Sequence, residues 1–347
     1  MRRFPRLFVA LCLCGLVALA MPGPASAEPF ILDPDAVVEP AIAINAGSGT
    51  GPSLNGTSVL DGVVRILIDL GNDHIYGNAG DSSCSGSLLM NGFSILTAGH
   101  CVDDMIALGL SAQVGFFGTT TQLFTTTTAL LFPGYSGIAN DPRDLALLQL
   151  PAEVAGVARY DIYRDTDEEG QAVTLAGYGR PGNGTGLTGA PSGERRVVNN
   201  VVDGFWGFGP TSPFFGMTSL AFDFDNPGFA PAIDPFGLCY GVPQGGVSGE
   251  GMIAPGDSGG ALFINGLIAG VHSWGSTNGA ICGDTYGGLN SSWGEFAGDT
   301  RVSQFADWID ANAPQPVPEP ATVSLLGVGL LGVARARRRR LSVGRER

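Results

Sequence analysis

The chain has 347 residues and a formal net charge of −14 at pH 7, and all 18 of its basic residues are arginine. Ten of those arginines crowd the two ends, so the stretch from 28 to 320 sets eight arginines against 31 acids. Such a body excludes nucleic-acid binding, which draws on basic contacts to phosphate, and suits a soluble extracellular protein.

In chain order, residues 1–27 read as a signal peptide. Arg2, Arg3 and Arg6 precede an apolar run from Leu7 to Met21, and Ala25–Ala27 supplies small residues for cleavage. Residues 28–57 are rich in Pro, Gly and Ala without periodicity, which predicts a linker or pro-segment. From 58 to 312 short apolar or β-branched runs alternate with Gly, Pro, Asn and Asp clusters: "VVRILIDL", "SGSLLM", "FSILTA", "LALLQL", "AVTLAGYG", "RVVNNVV", "GALFI" and "LIAGVHSW". That pattern predicts an all-β, antiparallel protein. Residues 204–250 lack clear alternation beyond "SLAFDFD" and are expected to form a surface insertion between strands. "RVSQFADWIDANA" is the best helix, with Val302, Phe305, Ala306 and Ile309 on one face. The acidic loop "DIYRDTDEEG" at 161–170 fails the calcium-loop template, because Ala176 stands where a bidentate glutamate belongs, and is expected to be solvated.

Residues 314–347 carry "VPEP" at Val317–Pro320, an apolar stretch at 321–334 and an arginine cluster from Arg335. This order resembles the PEP-CTERM sorting signals of Gram-negative bacteria, which implies exosortase-type processing during export through the periplasm to the cell surface or medium. The apolar stretch would make transient membrane contact while the arginines hold its end on the cytoplasmic side. It is short for a full span.

Beyond the leader, four cysteines remain: Cys84, Cys101, Cys239 and Cys282. In an exported chain this implies two disulfides, with three connectivities open. No CxxC spacing supports a zinc site, and no metal or cofactor is expected.

Of three histidines, His74 lies in the turn-rich "GNDHIYGN" and reads as a surface residue. His100 ends "CSGSLLMNGFSILTAGHC", two strand-like segments joined at Asn91-Gly92. A Cys84–Cys101 disulfide would staple this hairpin and fix the seat of the imidazole, as a general base requires. In "DPRDLALLQL", Asp144 enters an apolar strand, where a carboxylate is costly unless paired. Asp141 stands before Pro142 and reads as a turn residue. "APGDSGGALF" then puts Ser258 directly after Asp257. With 54 glycines in the chain, that stretch alone is weak.

Together, "LTAGHC", "DLALLQL" and "GDSGGAL", in the order His, Asp, Ser, resemble the catalytic segments of the chymotrypsin/trypsin-like serine proteases (peptidase S1 type). "LFPGY", "LAGYG", "GVHSWG" and "TRVSQFADWI" fit as supporting segments. The resemblance implies two packed six-stranded antiparallel β-barrels with a C-terminal helix, the first at 58–158 and the second at 159–313. It implies a secreted or surface-sorted serine endopeptidase acting on protein or peptide substrates. Ser258 would be the nucleophile, His100 the base and Asp144 its orienting acid, with the amides of Gly256 and Ser258 forming the oxyanion hole. Ser273, Trp274 and Gly275 would pair with substrate backbone. The family bridges a cysteine near Cys282 to one just before the nucleophile. Ala254 and Pro255 stand there instead, leaving Cys239 as the partner of Cys282. Met252 replaces the aspartate of trypsin-like pockets, which argues against an Arg/Lys preference. His272 resembles the histidine with which glutamyl endopeptidases bind an acidic side chain, or is a packing histidine. An apolar or acidic P1 residue is therefore expected. The only counterpart of the family's activating N-terminus is "INAG" at Ile44–Gly47, which would make 28–43 a pro-segment. Arg65 is an alternative neutraliser of Asp257. The rival reading is a catalytically weak or inactive protease-like adhesion protein.

Overall fold

The structure, a computed structural model, describes residues 60–314 except 139, 190–192, 228–233 and 242–244, together with the backbone of three short strands at 30–31, 37–40 and 45–46. The signal peptide and the sorting tail lie outside the described residues. Seven strands make a first antiparallel sheet: β1 Val63–Ile68, β2 Ser82–Leu88, β3 Ser94–Thr97, β4 Ala112–Phe117, β5 Thr121–Thr126, β6 Ala129–Leu131 and β7 Ala146–Gln149. Their order is β5-β4-β1-β2-β3-β7-β6. The β2–β3 hairpin turns through Gly92 at φ 76°, a left-handed conformation that glycine adopts without strain.

The second sheet contains β8 Ala172–Gly177, β9 Arg196–Val201, β10 Gly204–Gly207, β11 Thr218–Asp223, β12 Ala261–Ile264, β13 Leu267–Thr277 and β14 Phe296–Arg301. They run in the order β10-β11-β14-β13-β12-β8-β9. Phe30–Ile31 adds to β10 and Val37–Pro40 adds to β13. This is the chymotrypsin-like pair of barrels that the resemblance implies, with one strand more in each sheet than the six expected, the N-terminal strands aside.

Two main apolar clusters fill the fold, the first spanning the seam to include Ala176, Ala261, Phe263 and Val271 of the second sheet. The first gathers Val64, Ile66, Leu96, Val114, Phe116 and Leu147, and the second gathers Leu175, Leu220, Phe222, Leu262 and Ala297. The C-terminal element is a 3-10 turn at Val302–Phe305 running into a helix at Ala306–Asn312. It belongs to the second half of the chain but packs on the first cluster, with the Phe305 and Trp308 rings 4.7 and 5.2 Å from that of Phe132.

Two expectations need correcting. Residues 204–223 are not surface insertion, because β10 and β11 are integral to the second sheet. Every residue of β10 is buried, so both faces are covered and no alternation shows. The loop at 161–170 is not wholly solvated either. Glu168 is fully buried and takes two bonds from the Arg301 guanidinium, at 2.9 and 2.7 Å. A carboxylate at such depth needs a charged partner, and Arg301 supplies it.

Candidate active site

Side chains from both barrels meet at the seam between them. His100 sits in a 3-10 turn, Gly99–Cys101, that follows β3. The Cys84–Cys101 disulfide ties this turn to β2. Its Nδ1 lies 2.6 Å from Asp144 Oδ2, and its backbone N–H donates to Asp144 Oδ1 at 2.8 Å. Asp144 is 1% exposed and arrives through a turn braced by Asp141, itself clamped by Arg143 Nε and Nη2 at 2.8 and 2.9 Å. Asp141 is thus the turn residue, and Arg143 outweighs the effect of burial to hold its carboxyl below the usual range.

A third donor reaches Asp144 from the second barrel. Ser273 Oγ donates to Oδ2 at 2.6 Å. Burying a carboxylate costs several kcal/mol. Three charge-assisted bonds of roughly 1.5–3 kcal/mol each offset a cost of that size. Thr300 Oγ1 also donates to the Asp144 carbonyl at 2.9 Å, so the second barrel holds both ends of this residue. For His100, burial opposes the charged imidazolium, but the charge and hydrogen bond of Asp144, with help from Asp103, raise its pKa above the ordinary value.

Ser258 lies on the turn leading into β12 and is nearly buried. The Ser85 N–H donates to its carbonyl at 2.7 Å, and Cys101 Sγ lies 3.5 Å from the same oxygen. The serine's turn is therefore seated against the disulfide that holds the histidine's turn. Ser85 Oγ donates to the Gly256 carbonyl at 2.8 Å and accepts from the Tyr178 N–H at 2.8 Å. Gly256 has φ 99° and Gly259 φ 80°. A Cβ at 259 would collide with Thr97 Oγ1 and the Ser85 carbonyl, so this approach requires glycine. Asp257 is fully buried and accepts from the N–H groups of Gly179 at 2.6 Å and Ala254 at 3.1 Å. Arg65 forms no described ion pair with it. That guanidinium lies against Gly193, near Tyr178, and burial lowers its pKa.

His100 Nε2, on the side of the ring away from Asp144, is buried with no hydrogen-bond partner among the described residues. Such a nitrogen is free to take a proton from a group brought beside it. Met252 is 1% exposed and packs with the second cluster. His272 is fully buried, with Nδ1 2.9 Å from Asp299 Oδ2. Trp274 is fully buried 5.6 Å from the Trp206 ring, and Gly275 follows it on β13. Cys239 and Cys282 are disulfide-bonded. His74 is mostly exposed. Ser85 escaped sequence reading because only the docking of the two barrels brings it beside residues some 170 positions away.

The trypsin family model matches residues 73–202, and the PEP-CTERM protein-sorting motif matches residues 316–340. An uncharacterized peptidase of Corynebacterium glutamicum is 28% identical over 86% of this chain and 91% of its own length. A vitellin-degrading protease of Bombyx mori is 27% identical over 67% of this chain and 77% of its own. Human kallikrein-14 is 26% identical over 65% and 73%. The sorting motif indicates export and surface sorting in Gram-negative bacteria. No described helix is long and apolar enough to cross a membrane. With its two-barrel fold and these matches, the chain is similar to the trypsin-family serine peptidases and carries a PEP-CTERM sorting motif.

Proposed function

We propose that Ser258, His100 and Asp144 form the catalytic triad of an endopeptidase exported through the periplasm to the cell surface or medium. The observation that carries this reading is the 2.6 Å contact of His100 Nδ1 with Asp144 beside the turn that bears Ser258. Ser258 Oγ attacks the peptide carbonyl carbon while His100 Nε2 takes its proton. The tetrahedral oxyanion accepts from the N–H groups of Gly256 and Ser258. His100 then protonates the leaving amine, and water hydrolyses the acyl-enzyme by the same steps. One oxyanion donor of this kind contributes about 3 kcal/mol to the barrier reduction.

Support for an apolar P1 preference comes from Met252, which brings no charge to the pocket floor, and from His272, whose Nδ1 is already taken up by Asp299. Labelling by a fluorophosphonate probe, paired with a peptide-library cleavage profile, tests both levels. Cleavage is expected after apolar residues, with Arg and Lys disfavoured by about 100-fold or more. Strong cleavage after Arg or Lys overturns the pocket reading, and no labelling at all overturns the enzyme reading in favour of a binding protein.

The rate should also report the histidine. Since only neutral His100 accepts the proton and its pKa is raised, kcat/KM should climb with pH through a midpoint above the ordinary histidine value of about 6.5. Asp103→Asn removes one contributor and should move that midpoint down.

Residues 28–43 are read as a pro-segment. Val37–Pro40 runs antiparallel to Trp274–Thr277, with Pro40 opposite Trp274 and Glu39 opposite Gly275. That is the edge of β13 on which a substrate strand would be recognised by backbone hydrogen bonds. With its own segment there, the chain is blocked until the segment is cut or displaced.

A further inference from the structure

Apart from the proposed triad, five acids gather in the second barrel. Asp203 precedes β10, Asp223 ends β11, Asp225 follows it, Asp234 caps the helix Pro235–Tyr240, and Glu250 precedes Gly251–Met252. Asp203, Asp223 and Asp225 are each about 95% buried, and Glu250 is 9% exposed. The arginine ion pairs of the described residues all go to other acids. Backbone amides satisfy part of the cluster. Phe236 N–H donates to Asp223, Asp223 N–H to Asp203, and the N–H groups of Asp225 and Val247 to Glu250.

Two features go beyond a crowd of acids. One carboxylate oxygen each from Asp223, Asp225 and Glu250 lies within 4.8 Å of the other two. And Asp225 Oδ1, buried and in the same group, has no hydrogen-bond partner among the described residues. A buried carboxylate oxygen without donor or counter-charge is costly, and here Asp225 Oδ1 is one, set against two further buried carboxylates that only backbone amides satisfy in part.

We infer that Asp223, Asp225 and Glu250 form a calcium site, with Asp203 and Asp234 adding negative charge around it. The donor set is all oxygen, which selects a hard cation over zinc. Oxygens on opposite sides of a calcium ion stand about 4.6–5.2 Å apart, because each bond is about 2.3–2.6 Å. Magnesium draws its ligands to about 2.1 Å and prefers to keep its waters, so a buried, carboxylate-rich pocket of this span favours calcium. The site departs from the expectation of no metal, and it lies far along the chain from the 161–170 loop. Its placement gives it a task. Asp225 and Glu250 are the two ends of a 25-residue excursion, already joined by one 2.7 Å bond, and Glu250 leads directly into Gly251–Met252, a few residues before Ser258. A bound ion would clip that excursion shut.

The test is calorimetric titration of the full exported protein after removal of metals by a chelator, with calcium chloride and magnesium chloride as the probes. One calcium per chain is expected, with a Kd of about 10⁻⁴ M or tighter, and magnesium binding at least about tenfold weaker. Saturating calcium should raise Tm by about 5–10 °C. Asp225→Asn and Glu250→Gln, close in shape to the originals, each relieve repulsion and should fold without the ion. Each should weaken calcium binding by about 100-fold and remove the Tm response. Failure of the parent protein to bind calcium overturns the proposal, as does a preference for magnesium or binding unchanged in both variants. Neither readout uses peptidase activity, so this result stands or falls apart from the catalytic reading.

Discussion

Replacing Ser258 by alanine is expected to lower kcat by about 10⁵–10⁶-fold while leaving the fold in place. The side chain lost is small, and the contacts that hold the turn run through backbone: the Ser258 carbonyl to the Ser85 N–H, and the Gly256 carbonyl to Ser85 Oγ. Thermal melting should therefore shift by less than about 1 kcal/mol in stability. A second readout comes from the N-terminal region. If residues 28–43 are removed by the enzyme's own action, Ser258→Ala protein should retain them after export, and the parent should begin near Ile44. N-terminal sequencing of both decides this. A parent that is active with Glu28 still at its start would sink the pro-segment, and an alanine variant as active as the parent would sink the triad.

The second large effect is expected at Asp144. Asparagine keeps its shape but replaces one carboxylate oxygen with an amide donor. Facing His100 Nδ1, that donor favours the imidazole tautomer whose proton sits on Nε2, the nitrogen that accepts from Ser258 in the proposed mechanism. A loss of about 10⁴-fold in kcat with little change in KM is expected, the magnitude known for this triad type. Ser273→Ala, which removes one of three bonds to the carboxylate, should cost only about tenfold, in line with one charge-assisted bond. If Asp144→Asn and Ser273→Ala proved equally mild, Asp144 would be a structural acid and not the partner of a catalytic base. The pH profile separates the cases, because loss of the Asp144 charge should move the His100 midpoint downward, whereas a purely structural defect lowers the rate without moving it.

What could be read in advance follows from how local each signal is. The segments around His100, Asp144 and Ser258 are short and self-contained, so they are legible one at a time. Their chemistry is what the two variants test. The Cys84–Cys101 bridge was legible for the same reason, since a hairpin brings its ends together. β10 was hidden because strands buried on both faces lose the period-two signature, and "GFWG" carries none. Glu168 was taken for a solvated acid because its partner Arg301 lies 133 positions later. Ser85 and the carboxylates of 203–250 share that difficulty. Their meaning depends on which strands become neighbours, and no fixed spacing announces it.

The seam between the barrels has a consequence of its own. The first barrel presents Asp144, yet two of the groups that steady it, Ser273 and Thr300, come from the second. The second presents Ser258, yet its turn is propped by Ser85 of the first. Each half thus borrows its rigidity from the other. A chain whose two lobes had each folded but drifted apart would look native to a spectrometer and remain silent toward substrate. Turnover should therefore vanish on gentle heating before either lobe melts.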